Sequence, residues 1–480
     1  MPKITVISGG TATNELTPLF SNLSKSNKTS YILPISDNGG STSELIRVIG
    51  GPAIGDIRSR LTRLIPPHQD NIKHLLTFRL SSDPQIAKRQ WNEIVEGTHE
   101  LWAPISSSTK EIFRSFFVHL HVELLKRSRI HHSTNRQFRY ELASVGNMFL
   151  TGVRLFIGSL DSSIELFCKL TDISSNIQVL PCINTNFTYH ISALLENGLI
   201  ITGQSQISHP STSQEYPPPI HKTRPPTPSD DAVRTNYFSG ADIPINEVEI
   251  SKQQQQQQQH HHHHHHRSRS LSIESSVSTF SDSEEEESGN VPQYTHPELK
   301  KSQLHFNKSE SIEPLLSPIK RIFYVSPYGE EICPTANNRV TSTIGSSDTL
   351  IFSIGSLMTS IVPVLVLKGV GKAITTGKCK NKILLLNGCL DRETFGMTAF
   401  DFIRVIVEST EYSLRNQNLC SGQLSWNKVV THLIYMSDSK IEVDVDLLNS
   451  RGVQCIEVPR IDSTDYFDLQ HLELALADII

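Results

Sequence analysis

The feature that most constrains this chain stands at its start. The apolar run KITVI leads straight into SGGTATNEL (residues 8–16), and a second apolar run, SYILPI, opens into SDNGGSTSEL. Short apolar runs without alternation read as strands buried on both faces, as in a parallel sheet. Parallel neighbours need a crossover, and NELTPLFSNLS supplies one, with Leu16, Leu19, Phe20 and Leu23 on one helical face and Asn14 as the expected N-cap. Strand, glycine loop, helix, strand is a βαβ unit. It predicts a Rossmann-like, doubly wound α/β fold with a mainly parallel sheet.

The same reading extends along the chain. Residues 81–136 form an expected helical insertion in which Ile112, Phe116, Leu120 and Leu124 share a face, and ELASVGNMFLTGVRLFIGSLDSSIELFCKLTDI reads as two packed helices. IQVLPCI, YHISALLENG and LIITGQSQI read as strands, the last two joined by a turn at Glu196-Asn197-Gly198. The composition then collapses into a proline-rich stretch, a glutamine run (Gln253–Gln259), a histidine run (His260–His266) and a serine- and glutamate-rich segment. Such a segment buries too little apolar surface to offset chain entropy, so 213–317 is expected to be a disordered insertion. After it, RIFYVSP, TLIFSIG, KILLLNG, THLIYMS and QCIEVP are apolar runs separated by helical stretches. Residues 1–212 and 318–480 are therefore expected to complete one α/β domain.

Composition removes several functional classes. The net charge is -5 with no basic stripe, which excludes a nucleic-acid partner. The longest apolar window, residues 349–370, is broken by Ser353, Gly355, Ser356, Thr359, Ser360 and Pro363, so it reads as strand, loop and helix rather than a membrane span. Seven cysteines without a C-x-x-C pair suit reduced thiols. The expectation is a cytoplasmic protein with no membrane partner.

In a doubly wound sheet the ligand lies beyond the carboxyl ends of the strands, so the loops there carry the chemistry. The first offers Gly9, Gly10 and Thr11. Glycines let a backbone approach a pyrophosphate, and N–H groups ahead of a helix bind anions. This loop fits neither G-x-G-x-x-G nor the P-loop, and alone it reads equally well as a tight turn. The second loop brings Asp37, Gly39, Gly40 and Ser41, with Asp37 standing where Rossmann proteins place a ribose-binding acid. GGPAIGDIRSRL then sets Asp56 and Arg58 at a helix start. Arg58 is a candidate phosphate clamp, and Asp37 with Asp56 are candidate oxygen ligands for Mg²⁺; the alternative for each aspartate is N-capping or turn formation.

Taken together, ISGGTATNEL, ILPISDNGGSTSELIR, GPAIGDIRSRL, SVGNMFLTG, VLPCIN and LENGLIITGQSQI, with IFSIGSLMTSIVPVLVLKGV and LNGCLDRETFGMTAFDFI beyond the insertion, resemble the family of 2-phospho-L-lactate transferase (CofD) and the bacterial gluconeogenesis factor (YvcK). The glutamine and histidine tracts suggest a eukaryotic, fungal-like member. The resemblance implies a Rossmann-like core that binds a phosphorylated nucleotide. The transferase moves 2-phospho-L-lactate from a GDP-linked donor to a deazaflavin alcohol with Mg²⁺, whereas the gluconeogenesis factor binds a nucleotide sugar or a nicotinamide dinucleotide.

Matched position by position, the resemblance implies a ligand site at Gly9, Gly10, Thr11, Asp37, Gly39, Gly40, Ser41, Arg58 and Asn147. Beyond the insertion it adds Gly355, Ser356, Thr359, Ser360, Asn387, Glu393 and the neighbouring Thr394. Asp37 and Asp56 are the implied catalytic and metal-binding pair. Ala12 stands where the family has a third glycine, Asn38 where the gluconeogenesis factor commonly has a second acid, and Ile354 where the family has proline. The expected partners are a nucleotide-diphosphate small molecule such as GDP, NAD(P) or a UDP-sugar and a second copy of the chain in a homodimer. The expected activity is a phosphate-containing group transfer to a hydroxyl, with a non-catalytic ligand sensor as the alternative.

Overall fold

The computed structural model describes residues 2–24, 28–36, 39–129, 137–208, 296, 299, 314–419, 422–461 and 464–480. Its strands are β1 (Ile4–Ile7), β2 (Thr29–Leu33), β3 (Ile177–Pro181), β4 (His190–Leu195), β5 (Ile200–Thr202), β6 (Ile319–Val325), β7 (Glu331–Ile332), β8 (Thr349–Phe352), β9 (Asn381–Leu385), β10 (His432–Met436) and β11 (Gln454–Val458). Seven of them form one sheet in the order β11-β10-β9-β8-β1-β2-β3, every pairing parallel. The expected doubly wound α/β fold is what the chain adopts, and strands from both sides of the long insertion share the sheet.

The apolar runs became central strands because both of their faces are covered: every residue of β1, β2 and β8 is buried. From β1 the chain builds outward through β2 to β3; after the insertion it restarts at β8, on the other side of β1, and builds the opposite way to β11. The strand order therefore reverses between β1 and β8, which is where an open α/β sheet leaves a crevice at its carboxyl edge. The register places that crevice well. Ile7 aligns with Ile32 on one side and with Phe352 on the other, so the loops that follow β1, β2 and β8 leave the sheet at one level.

A second sheet, which the strand pattern did not separate from the first, is antiparallel with the order β5-β4-β6-β7. The β4–β5 hairpin turns as expected at residues 196–198, with Gly198 at φ +88°. RIFYVSP, as β6, pairs with β4 rather than joining the parallel sheet. QSQI is not strand: β5 ends at Thr202, and after Gly203 (φ +89°) the chain forms the helix Gln204–Ser208.

Two helical details also differ from expectation. A 3₁₀ turn, Ala12–Leu16, precedes helix α1 (Thr17–Ser24), so Asn14 is not an N-cap; its amide instead donates to Ser59 at 3.0 Å. In the helix Ser107–Arg129 the buried stripe is Phe113, Phe116, Phe117, Leu120 and Leu124, while Ile112 is 46% exposed. The aromatic rings set this rotation: Phe113 stacks on Phe149 with centroids 4.6 Å apart, and Phe117 packs edge-on to both Trp91 and Phe149.

Within 213–317 the described residues are His296, Leu299 and 314–317; the glutamine, histidine and glutamate runs lie outside the described residues. Leu299 is fully buried against Phe323 and Val325, so packing on the second sheet begins upstream of the expected boundary at 318. Among the described residues no helix is long and apolar enough to cross a membrane, and the six described cysteines are all free thiols.

Candidate functional site

The loop after β1 is shaped from behind. Helix α3 (Gly55–Leu64) buries Ile57, Arg60 and Leu61 on one face, which puts a guanidinium among apolar neighbours. Arg60 is 0% exposed; it donates to the Gly9 carbonyl (3.2 Å), the Thr13 carbonyl (3.2 Å), Ser8 Oγ (3.3 Å) and Thr17 Oγ1 (2.8 Å), and lies over the Tyr31 ring. Ser59 Oγ donates to the Gly10 carbonyl at 3.0 Å. In a planar trans peptide the carbonyl and the next N–H point opposite ways. Holding the carbonyls of Gly9 and Gly10 against α3 therefore turns the N–H groups of Gly10 and Thr11 away from α3. That is the arrangement an anion-binding loop needs.

Gly10 is required by contact with backbone, and Gly9 is closely packed against a side chain. A Cβ on Gly10 would lie 2.5 Å from the Asp56 Cα and overlap the Asp56 carboxylate; one on Gly9 would lie 2.6 Å from Ser360 Oγ. These contacts also locate partners. Asp56, in the first turn of α3, sits against the first loop, and Ser360, from the π-helical turn Leu357–Ile361 after β8, closes on it from the other side. Thr13 Oγ1 donates to the Ile354 carbonyl (3.0 Å) and lies within hydrogen-bond distance of Ser353 Oγ (2.9 Å), and Ala12 lies beside Gly355. Loops some 340 positions apart thus meet at the reversal of strand order.

A second group lies along α3 and α2 (Gly40–Val48). Gly39 is the N-cap of α2 and Gly40 has φ +57°, followed by Ser41 and Thr42 in the first turn. Asn147 is fully buried at the start of the helix Val145–Ile157, which Ser144 caps. Its amide donates to Ser41 Oγ at 2.8 Å, and its oxygen accepts from Arg58 Nε at 3.1 Å. Ser41, Asn147 and Arg58, separated by up to 106 positions, form one hydrogen-bonded chain. Burial pulls the Arg58 and Arg60 guanidinium groups down to about 10, with Arg79 adding repulsion at Arg58; both stay cationic at neutral pH. Asp37 lies outside the described residues, as does Asn38.

The third group gathers around Glu393. Asn387, just past β9, brackets Gly355 in both directions: its oxygen accepts from the Gly355 N–H (2.9 Å) and its amide donates to the Gly355 carbonyl (2.8 Å). Gly355 has φ +132°, a conformation that favours glycine. Glu393 is buried and accepts from four donors: the hydroxyls of Ser208 and Ser356, Thr359 Oγ1 (2.8 Å) and the Thr359 N–H (3.1 Å). Burial, with Asp391 beside it, holds the Glu393 carboxyl above the usual glutamate range, against the pull of those donors. Asp391 and Thr394 close the turn that carries it. Arg392 donates to the Gln206 and Ile207 carbonyls at 2.7 and 2.8 Å, tying this turn to the helix Gln204–Ser208.

Apart from Asp37, every residue matched by sequence falls into one of these three groups. Sequence reasoning missed Arg60, Ser59 and Ser208. For Arg60 a signal existed: it falls at i+3 from Ile57 and i−1 from Leu61, in register with the buried face of α3, whereas Arg58 does not. Nothing local marks Ser208, whose partners lie 151 and 185 positions away. For Mg²⁺, Asp56 is a hard oxygen donor placed against the first glycine loop, which fits the cation's habit of taking one or two carboxylates beside a phosphate. Among the described residues no cluster of three or more histidine, cysteine, aspartate or glutamate side chains occurs.

A parallel sheet with reversed strand order and three polar loops meeting at the reversal defines a doubly wound α/β protein of the kind that seats its ligand at the carboxyl edge. Comparison with known families narrows this. The model of the family described as 2-phospho-L-lactate transferase CofD matches residues 4–461, and the chain belongs to that family. It is similar to an uncharacterized protein, YNL011C, of Saccharomyces cerevisiae, at 41% identity over 493 aligned positions covering 99% of each chain. Two solved structures of protein BH3568 from Bacillus halodurans, one described as a member of the UPF0052 family, share the fold with a TM-score of 0.53. They show 16% and 15% identity, with 99% of each chain covered.

Proposed function

We propose that this protein binds a nucleotide-diphosphate ligand in the crevice between β1 and β8 and transfers a phosphate-containing group from it to a hydroxyl acceptor. The observation that carries this reading is the first loop, where Arg60 and Ser59 hold the Gly9 and Gly10 carbonyls and so turn the N–H groups of Gly10 and Thr11 away from α3. Those amides, with Arg58 held by Asn147 and the glycine-rich start of α2, would carry the diphosphate. Asp56 and Asp37 would hold Mg²⁺, which when bound supplies charge neutralisation at a diphosphate. Asp37 would act as base toward the acceptor hydroxyl. Gly355, Asn387 and Ser360 would wall the opposite side of the crevice.

A second reading is a non-catalytic sensor of a nucleotide sugar or NAD(P). It is favoured by the engagement of Glu393, both of whose oxygens accept hydrogen bonds from within the protein. Mass spectrometry of small molecules that copurify with the native protein, followed by calorimetric titration of GDP, UDP-glucose and NADP with and without Mg²⁺, separates the two. Metal-dependent binding with turnover supports transfer; tight metal-independent binding without turnover supports sensing. No binding of any of the three contradicts both. Within either reading, Arg58→Ala and Asp37→Ala weaken nucleotide binding, and unchanged affinity removes those residues from the site.

A further inference from the structure

The resemblance placed Glu393 among ligand-contacting residues, but its surroundings assign it other work. An ionised carboxylate accepts at about four lone-pair positions and donates nothing. Glu393 has four donors, two on each oxygen: Ser208 Oγ and Thr359 Oγ1 on Oε1, Ser356 Oγ and the Thr359 N–H on Oε2. The carboxylate is filled from within the protein, so it has no position left for a ligand.

The consequence falls on the hydroxyls. A serine or threonine hydroxyl has one proton and two lone pairs. Thr359 Oγ1 also lies 2.6 Å from Ser356 Oγ and 3.2 Å from Ser208 Oγ, so its single proton is shared between Glu393 and these hydroxyls. With the protons of Ser356 and Ser208 drawn to Glu393, what those two serines offer any other neighbour is lone pairs alone. Thr359 is fully buried, but Ser356 and Ser208 are half-buried and keep an accessible side. We infer that Glu393 is a positioning residue that fixes the Ser356–Thr359 turn and makes Ser356 and Ser208 hydrogen-bond acceptors toward the crevice. The group they take is then a donor, a sugar hydroxyl or a base N–H, and not a phosphate.

This gives the crevice a polarity and rests on the nucleotide reading above. The amide-rich side, with Gly10, Thr11 and Arg58, suits the diphosphate. The opposite side, where the serine protons are drawn inward to Glu393, presents acceptor lone pairs and receives the donor-bearing part of the same ligand.

Glu393→Gln reverses the polarity with little change of size. An amide nitrogen in place of one oxygen must donate, so one or two hydroxyls become acceptors for it and turn their own protons outward. Two measurements test this. Calorimetry with GDP and with inorganic pyrophosphate should show the GDP affinity of Glu393→Gln falling about 3- to 10-fold, the equivalent of one neutral hydrogen bond, while pyrophosphate stays within about twofold. Glu393→Asp, which restores the carboxyl group, should recover part of the GDP affinity. Equal losses for both probes, or no loss for either, overturns the inference.

Amide hydrogen exchange on the unliganded protein supplies the second arm and needs no ligand. Exchange at residues 356–361 and 204–208 should rise in Glu393→Gln while β1 and β8 keep their protection. Unchanged exchange in those segments overturns the positioning role whatever the calorimetry gives. Failure of the wild-type protein to bind either probe counts against the nucleotide reading, and the exchange result then decides the role of Glu393 separately.

Discussion

Gly10→Ala is the substitution whose outcome the structure determines most closely. A Cβ added there would stand 2.5 Å from the Asp56 Cα and 2.9 Å from its Cβ, closer than real Cβ atoms come. The obstacle is backbone in the first turn of α3, so no side-chain rotation relieves it. Helix α3 cannot slide away cheaply, because Ile57, Arg60 and Leu61 are fully buried beneath it. Overpacking of this kind costs about 1–3 kcal/mol, which lowers the ratio of folded to unfolded protein by roughly 5- to 150-fold. Denaturant titration followed by intrinsic fluorescence should show a lower midpoint at an unchanged slope. Gly345→Ala is the control: it lies in the helix Asn338–Ser346 with nothing within 4 Å of the added Cβ, so its midpoint should hold or rise. A Gly10→Ala protein as stable as wild type, with the control behaving as stated, would refute the close packing of the first loop on α3.

Other outcomes follow from the same structure. Arg60→Met should cost about 2–3 kcal/mol or more in denaturant titration, because it strips the buried carbonyls of Gly9 and Thr13 of a donor, and Arg60→Lys should recover only part of that. His190 is buried in β4 with Nδ1 unpartnered, and burial pulls its imidazole down to about 4. The unfolded chain binds a proton near 6.5 and the folded one does not, so stability from this group is full above 6.5 and lost as pH falls toward 4. The loss is about 3 kcal/mol, and His190→Gln should flatten that part of the stability–pH profile. Leu299→Ala should cost about 2–5 kcal/mol by opening a cavity against Phe323 and Val325, whereas deletion of residues 215–290 should leave a single cooperative transition; a deletion variant that aggregates would show that this stretch is structural.

The parallel sheet was legible because its strands announce themselves. ITVI, TLIF and their neighbours are mostly apolar without period-two alternation, and burial of every residue on both faces explains that pattern. The second sheet was not legible as separate, because pairing of β4 with β6 joins residues 190–195 to residues 319–325 across the low-complexity stretch, and no local pattern records that choice. Helix rotation at Ile112 was misjudged for a similar reason. Both Ile112 and Phe113 fit an apolar face, and stacking on Phe149 decided between them. In the site, residues with an intrinsic signature were found early: glycines at strand ends and an arginine after Gly-Asp. Arg60 shows only its register with the buried face of α3, and Ser208 shows nothing local. Their importance comes from partners that only the folded chain brings near.

The proposed seat for the phosphate of a nucleotide is one crevice, between β1 and β8. Amide hydrogen exchange of the wild-type protein with and without saturating GDP, UDP-glucose or NADP tests this directly. At least one of the three should slow exchange at residues 9–13, 39–42 and 355–361 together, with the outer strands β10 and β11 unaffected. Protection confined to another part of the molecule, or to one of those three segments without the others, would contradict it.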